Sequence, residues 1–206
     1  MYPDLSQQWI FIFRFIYFCD TFDVSKDKEL SMDIIVKKGT ESDIDPIAQL
    51  YDELNDFLAS SINYPGWIKG VYPVREDAAN GIADGGLYVA KAAGKAVGSL
   101  ILSHKPEPAY SQVKWGIDAD YSSIFVVYTF AVHPVYLKKG IGTGLMNFAI
   151  RHCKNEQAKS IRLDVYEKNV PAIKLYEKCG FKYVDTVDLG LGEHGLNHFK
   201  LYEKLL

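Results

Sequence analysis

Cysteine is scarce in this chain: Cys19, Cys153 and Cys179 are its complement of 3 in 206 residues. An odd number at wide spacing excludes a disulfide framework and a CxxC metal knuckle, so a reducing, cytoplasmic setting is expected and no metal is called for. Runs of one charge are absent as well. The 23 basic and 26 acidic residues are interleaved, for a formal charge of −3, and no block could neutralise a phosphate backbone, so nucleic acid is not an expected partner. No apolar run approaches the ~20 residues of a spanning helix, so a membrane is not expected either. Internal repeats and low-complexity tracts are lacking too.

What is present is 48% hydrophobic content, enough for one substantial core in a chain too short for two ordinary domains. One domain of residues 32–206 is expected, behind an extension of residues 1–31. Residues 9–18 (WIFIFRFIYF) are apolar and aromatic but short and interrupted by Arg14. They lack the basic residues before, and the small residues after, that mark a secretory signal. Lys28-Glu29 can be encoded AAG-GAG, a ribosome-binding sequence two codons ahead of Met32, so the natural product is expected to begin at Met32. If the extension is translated, its aromatic face needs cover from the domain or from a second subunit, which leaves a homodimer open.

From residue 33 the patterning is regular. Residues 33–37 read as a strand, and Thr40 to Asp43 as a capping box with Pro46 in the first helical turn. Ile44, Ile47, Leu50, Tyr51, Leu54, Phe57 and Leu58 then recur at steps of three and four, one face of an amphipathic helix. Residues 60–75 are broken by prolines and glycine into a loop, and a short helix is expected over 76–82. Residues 87–91 and 96–103 read as a β-hairpin. Residues 104–119 read as a linker. Residues 124–132 (IFVVYTFAV) have the near-continuous β-branched and aromatic character of a central strand buried on both faces. A helix through Leu145, Met146, Phe148, Ala149 and Ile150, a strand at 161–165, a helix at 171–178 stopped by Gly180, and strands at 181–184 and 198–202 complete a mixed α/β (α+β) pattern.

Chemistry concentrates in residues 132–144, where the buried strand runs through a basic, glycine-rich turn into a helix. Glycines let the backbone bring several N–H groups against one ligand, and a helix start adds unpaired donors and a positive dipole end. Such a turn is a cradle for a pyrophosphate, with Lys138 and Lys139 adding positive charge. A P-loop is excluded because Gly144 is followed by leucine where Lys is required. The dinucleotide fingerprint lacks its third glycine and its place directly after the strand, although Asp164 falls about 20 residues on, as that fingerprint requires.

Residues 130–142 (FAVHPVYLKKGIG) resemble the cofactor motif of the GNAT acetyltransferases, Arg/Gln-x-x-Gly-x-Gly/Ala after a strand ending in hydrophobic-Ala-Val-His-Pro. Residues 161–181 (IRLDVYEKNVPAIKLYEKCGF) are similar throughout to the companion motif Asn-x-x-Ala-x-x-Leu/Phe-Tyr-x-x-x-Gly-Phe. The resemblance implies a GNAT fold: a mixed, mostly antiparallel sheet with splayed central strands and helices on both faces. It implies acetyl-CoA as cosubstrate and a primary amine of a small molecule or peptide as acceptor. By position, Phe130, Ala131 and Val132 would meet the pantetheine arm. Leu137, Lys138, Lys139, Gly140, Ile141, Gly142, Thr143 and Gly144 would surround the pyrophosphate. Asn169 would bond the arm while also capping its helix. Leu137 stands where the family has Arg or Gln, which predicts weaker or differently tuned binding of the cosubstrate.

Tyr176, two turns beyond Asn169 on the same helix face, is the expected acid for a departing thiolate. The N–H of Val132 is the expected oxyanion donor. The central strand contains no acid, so the base is left among Tyr128, Asp118, Asp120, Glu167 and a water chain. Glu53, Asp56, Tyr64, Trp67 and Tyr128 are candidates for the acceptor pocket. Without a strand carboxylate, a catalytically silent acyl-CoA-binding sensor stands as the alternative.

Overall fold

The structure, a computed structural model, describes residues 33–206. The expectations for residues 1–32, the start at Met32 included, lie outside the described residues. Seven strands and four α-helices form within them: β1 (Ile34–Lys38), α1 (Ile44–Ala59), α2 (Arg75–Ala83), β2 (Leu87–Ala92), β3 (Lys95–Ser103), β4 (Ile124–Val132), α3 (Ile141–Asn155), β5 (Ser160–Tyr166), α4 (Val170–Lys178), β6 (Lys182–Val187) and β7 (Phe199–Leu205). None of the described helices is long and apolar enough to cross a membrane.

Local chemistry explains the boundaries. Thr40 N–H donates to Asp43 Oδ2 at 3.0 Å, the capping box that the sequence predicts, and Lys91 of β2 pairs with the buried Asp43 carboxylate. Positive φ at both Ala93 and Gly94 closes the β2–β3 hairpin in the twist that suits a two-residue turn. Gly180, at φ 84°, takes the left-handed conformation just past the end of α4, where a side chain would be strained.

The sheet order is β1-β2-β3-β4-β5-β7-β6. Every neighbouring pair is antiparallel except β4 with β5. Alternation along β3 assigns the faces. Ser99 Oγ donates to Tyr51 OH of α1 at 3.3 Å, whereas a Cβ on Gly98 would meet Leu145 and Ile141 of α3 at 2.9 and 3.2 Å. Helices therefore cover both faces, with the α1 core built from Ile47, Leu50, Tyr51 and Leu54 against Leu87, Val89 and Ala131.

Residues 104–119, expected to be a linker, are a packed part of the domain. Tyr110 is 1% exposed, in a cluster with Val126 and Leu201. The reason lies in Arg162 of β5. Its Nε donates to Glu203 Oε1 at 2.9 Å, its Nη1 to Tyr121 OH at 2.9 Å and its Nη2 to Ile117 O at 2.7 Å, while the guanidinium lies 4.2 Å from the Trp115 ring centre. Ser160 Oγ and Gly116 N–H complete the shell of Glu203 at 3.0 and 2.7 Å. A buried ion pair whose polar atoms are all matched can hold a segment in one place.

Candidate active site

That pin sits where the sheet opens. β4 and β5 pair only at Ile124–Ser160, Phe125–Ile161 and Val126–Arg162, and beyond Arg162 the two strands part. On its other edge β4 stays paired with β3, but the register shifts between Ser99 and Ile101. The bulge carries Thr129 at φ 43°, a costly conformation for a β-branched residue and one that persists where the surroundings impose it. Tyr72, in the loop between α1 and α2, hydrogen-bonds Thr129 Oγ1 at 2.7 Å. His133 N–H is given to Val97 O at 3.0 Å, so strand alternation turns the backbone of Val132 away from β3 and into the gap.

The gap is a cleft of about 1040 Å³. At one end are Leu137, Lys138, Gly140, Ile141, Gly142 and Thr143; Asn169, Leu175 and Tyr176 of the α4 region follow, with Val127 to Phe130 and Val132 of β4 along the wall. Gly140, at φ 82°, is the N-cap of α3. The N–H groups of Lys138, Gly140, Ile141, Gly142 and Thr143 have no acceptor among the described residues, whereas Leu137 N–H is held by Pro134 O, Lys139 N–H by Tyr136 O and Gly144 N–H by Gly140 O. The free donors are the ones at the cleft. Lys139 and Gly144, expected around the pyrophosphate, do not line it: the Lys139 ammonium sits over the Tyr136 ring at 5.2 Å, and the Gly144 amide belongs to the second turn of the helix. Ala131 does not line it either, being 1% exposed beneath α1.

Asn169 caps α4 through Oδ1, which accepts from Ala172 N at 3.4 Å, and its Nδ2 has no acceptor among the described residues. Tyr176 is 5% exposed, edge-on to Phe130 at 6.0 Å, and its hydroxyl has no hydrogen-bond partner among the described residues. Burial above all, and then the charge of Asp164, push the Tyr176 phenol well above its usual range.

The residue to which sequence reasoning gave no role in the site is Asp164. In the sequence it stands out only for its distance from the glycines, yet it lies on β5 two residues past the last β4–β5 pair and lines the cleft. Tyr110 OH donates to Asp164 Oδ2 at 2.8 Å. Burial pushes this carboxyl up to about 6, the Tyr110 bond pulls it down, and the charge of Glu107 pushes it up again. Tyr128, whose OH donates to Lys105 O at 2.7 Å, is raised by burial, then by Glu107 and Asp164. Tyr72 is raised to about 12, chiefly by burial. The signal available in the sequence is one acid in the strand IRLDVY, whose other charged residue, Arg162, has its own carboxylate partner in Glu203.

Of the residues expected in the acceptor pocket, Tyr64, Trp67 and Tyr128 line the cleft; Glu53 and Asp56 do not. Glu53 Oε2 lies 2.6 Å from His133 Nε2, tying α1 to the end of β4, and Asp56 pairs with Lys69 at 2.6 Å on the outer surface. Asp118 and Asp120 are exposed, Asp120 capping a short 3-10 turn through Ser122 N–H, and neither they nor Glu167 lines the cleft.

The sequence model of the acetyltransferase (GNAT) family matches residues 47–181, and the chain belongs to that family. The curated N-alpha-acetyltransferase of Saccharolobus solfataricus is 44% identical over 62 residues, 30% of this chain and 37% of the relative. The UPF0157 protein YqkA of Bacillus subtilis is 42% identical over 73 residues, 35% of this chain and 20% of the relative. The chain therefore spans only a fifth to a little over a third of these curated relatives. Among solved structures, a GNAT-family acetyltransferase of Streptococcus agalactiae has the same fold at TM-score 0.70 and 20% identity, covering 84% of this chain and 95% of that one. YncA of Salmonella typhimurium, whose structure holds its cofactor acetyl-CoA, aligns at TM-score 0.62 and 15% identity over 84% and 94%. The fold expected from the sequence is the fold observed.

Proposed function

We propose that the protein transfers the acetyl group of acetyl-CoA to a primary amine directly, in a ternary complex. The observation that carries this reading is that one cleft joins a cluster of unpaired N–H donors, at Lys138 and Gly140 to Thr143, to the hydroxyl of Tyr176 and the carboxyl of Asp164. The residues fit the cosubstrate by their chemistry. Glycine at 140 and 142 lets backbone donors approach two linked phosphates, and the unused Nδ2 of Asn169 suits a pantetheine carbonyl. When bound, acetyl-CoA supplies an acyl group on a thiolate leaving group.

The protein's own groups then have separable tasks. Asp164 accepts the proton of the incoming ammonium. A carboxyl with a pKa of about 6 is about nine-tenths ionised at pH 7, yet about two units closer to an ammonium than an ordinary aspartate. The amine nitrogen bonds the carbonyl carbon as the carbon–sulfur bond breaks, while Val132 N–H opposes the charge growing on the carbonyl oxygen. Tyr176 OH gives its proton to the sulfur, and the second proton, shed by the newly bonded nitrogen, restores the phenol, so the products are the amide, the free thiol and the one proton held by Asp164. Asp164 also removes the main ground for a silent sensor, since the carboxylate missing from β4 is present on β5.

Tyr176→Phe tests the assignment. The variant keeps the upward shift in melting temperature that CoA produces and loses about 10²- to 10⁴-fold in thiol release over an amine panel. Equal turnover would remove Tyr176 from its role, and no CoA-induced shift in the unaltered protein would sink the reading itself.

A further inference from the structure

The two ends of the cleft differ in chemistry: away from the glycine turn the loops contribute mostly carbon, with Ser61, Tyr64, Tyr72 and His194 as the polar side chains among them. Resting on acetyl transfer to an amine, we propose that the acceptor is a small primary amine with one compact apolar body, aromatic or branched aliphatic, its ammonium directed at Asp164 and Glu107.

Three observations support this. First, the walls at this end come from two loops, residues 60–74 between α1 and α2 and residues 188–198 between β6 and β7, which contribute Trp67, Ile68, Leu191 and Leu196. Ile68 is 45% and Leu191 36% exposed. Exposed apolar side chains gathered at one opening mark a binding site more than a scattered few would. Second, the loops are braced. Asn63 Oδ1 accepts from Gly66 N at 3.0 Å and Trp67 N at 3.2 Å, and its Nδ2 donates to Trp67 O at 2.7 Å. The Trp67 ring then stands edge-on to Tyr72 at 5.5 Å, beside the strained Thr129. Third, the loops touch. A Cβ on Gly66 would lie 2.3 Å from Leu196 Cδ2, so leucine carbon rests on bare backbone and roofs the cleft at that point.

Charge sets the orientation. Asp164 and Glu107 are the only carboxylates among the lining residues, and both belong to the floor beside Tyr128. An ammonium is paired there and nowhere higher. A second ammonium, as in a polyamine, would be stranded among leucines. A peptide would have to bring its backbone donors and acceptors past the same carbon walls and beneath the Gly66–Leu196 contact.

The test is thiol release from acetyl-CoA with phenethylamine and isoamylamine against ethanolamine, spermidine and the peptide Leu-Gly-Gly. The apolar amines are expected to exceed the other three in kcat/KM by about 10- to 100-fold, the effect of moving a phenyl or branched alkyl group out of water. Trp67→Ala should cut that advantage at least about 5-fold while leaving the CoA-induced melting shift intact. Leu196→Ala, which opens the roof without touching the floor, should raise the peptide relative to phenethylamine. Spermidine, ethanolamine or the peptide matching the apolar amines, or an unchanged ratio in Trp67→Ala, overturns the inference and leaves acetyl transfer standing. Bound CoA with no amine acetylated overturns both.

Discussion

Replacing Asp164 by Asn separates what this carboxyl does for the reaction from what it costs the fold. In the folded protein burial is the largest influence on it and carries its pKa from 3.8 to about 6, against the pull of Tyr110 and with the push of Glu107. Tyr72, Tyr128 and Tyr176 also feel its charge, and these are the groups that face it. Because the folded pKa is the higher one, the native state binds the proton more tightly than the unfolded chain. The stability this contributes is fully present below about pH 4 and is lost as pH rises through about 6. Two units correspond to about 3 kcal/mol at pH 8. Asn cannot ionise, and its side-chain oxygen can still accept from Tyr110. The Asp164→Asn protein should therefore gain on the unaltered one by about 3 kcal/mol between pH 4 and pH 8, seen as a difference in melting temperature that widens by roughly 6–12 °C for a domain of this size. Carboxylates that do not feel the charge of Asp164 cancel in the difference. The same variant should have no measurable turnover at pH 8, while the unaltered enzyme loses kcat/KM with a one-proton slope below about pH 6. Melting differences that stay constant across the range would mean that water reaches this carboxyl freely, and the assignment of Asp164 as base would fall with the pKa that supports it.

Two further perturbations probe the cradle and the branch point. Gly142→Val would place methyl groups among Leu175 and Phe130, whose carbons would stand 3.2 and 3.6 Å from the new Cβ, and over the free amides of the turn; the expected outcome is a folded protein whose melting temperature no longer responds to CoA. Arg162→Met leaves the buried carboxylate of Glu203 without its cation and should cost about 3–5 kcal/mol by denaturant unfolding. Loss confined to the CoA response, with global stability unchanged, would mean that the Arg162 cluster does not hold the sheet.

The order of elements and the glycine-turn end of the cleft were legible in the sequence because both depend on local signals. The capping box at Thr40 and Asp43, the steps of three and four in α1, the uninterrupted apolar run of β4 and the glycines at 140 and 142 each act within a few residues of themselves. The acceptor end was not legible, for a physical reason. Asp164, Glu107, Tyr72 and Leu196 are far apart in the chain and meet only because β4 and β5 separate. Beside that opening lie Arg162, Glu203 and Trp115, which carry no motif. Glu53 and Asp56 misled in the opposite way: acids on a helix near the site suggest substrate contacts, but each already has a nearby cationic or imidazole partner, and neither faces the cleft.

Separation, bulge and carboxylate belong to one arrangement. Had β5 stayed in register with β4 past Arg162, the backbone of Val132 would be spent on sheet pairing and no gap would admit a ligand. Asp164, facing the same side as Arg162, would have only Tyr110 as a partner in a dry interior. The pairing on one edge of β4 ends at Arg162, whose matched ion pair with Glu203 joins β5 to β7, and the Thr129 bulge, braced by Tyr72, shifts it on the other. What the sheet loses in ladder bonds reappears as an unpaired N–H at Val132, in the same cleft as the free amides of the glycine turn, and as a carboxyl whose pKa burial raises. A strand with these defects is a poor way to build a core. It is a direct way to leave backbone donors and one half-buried carboxyl along a single cleft.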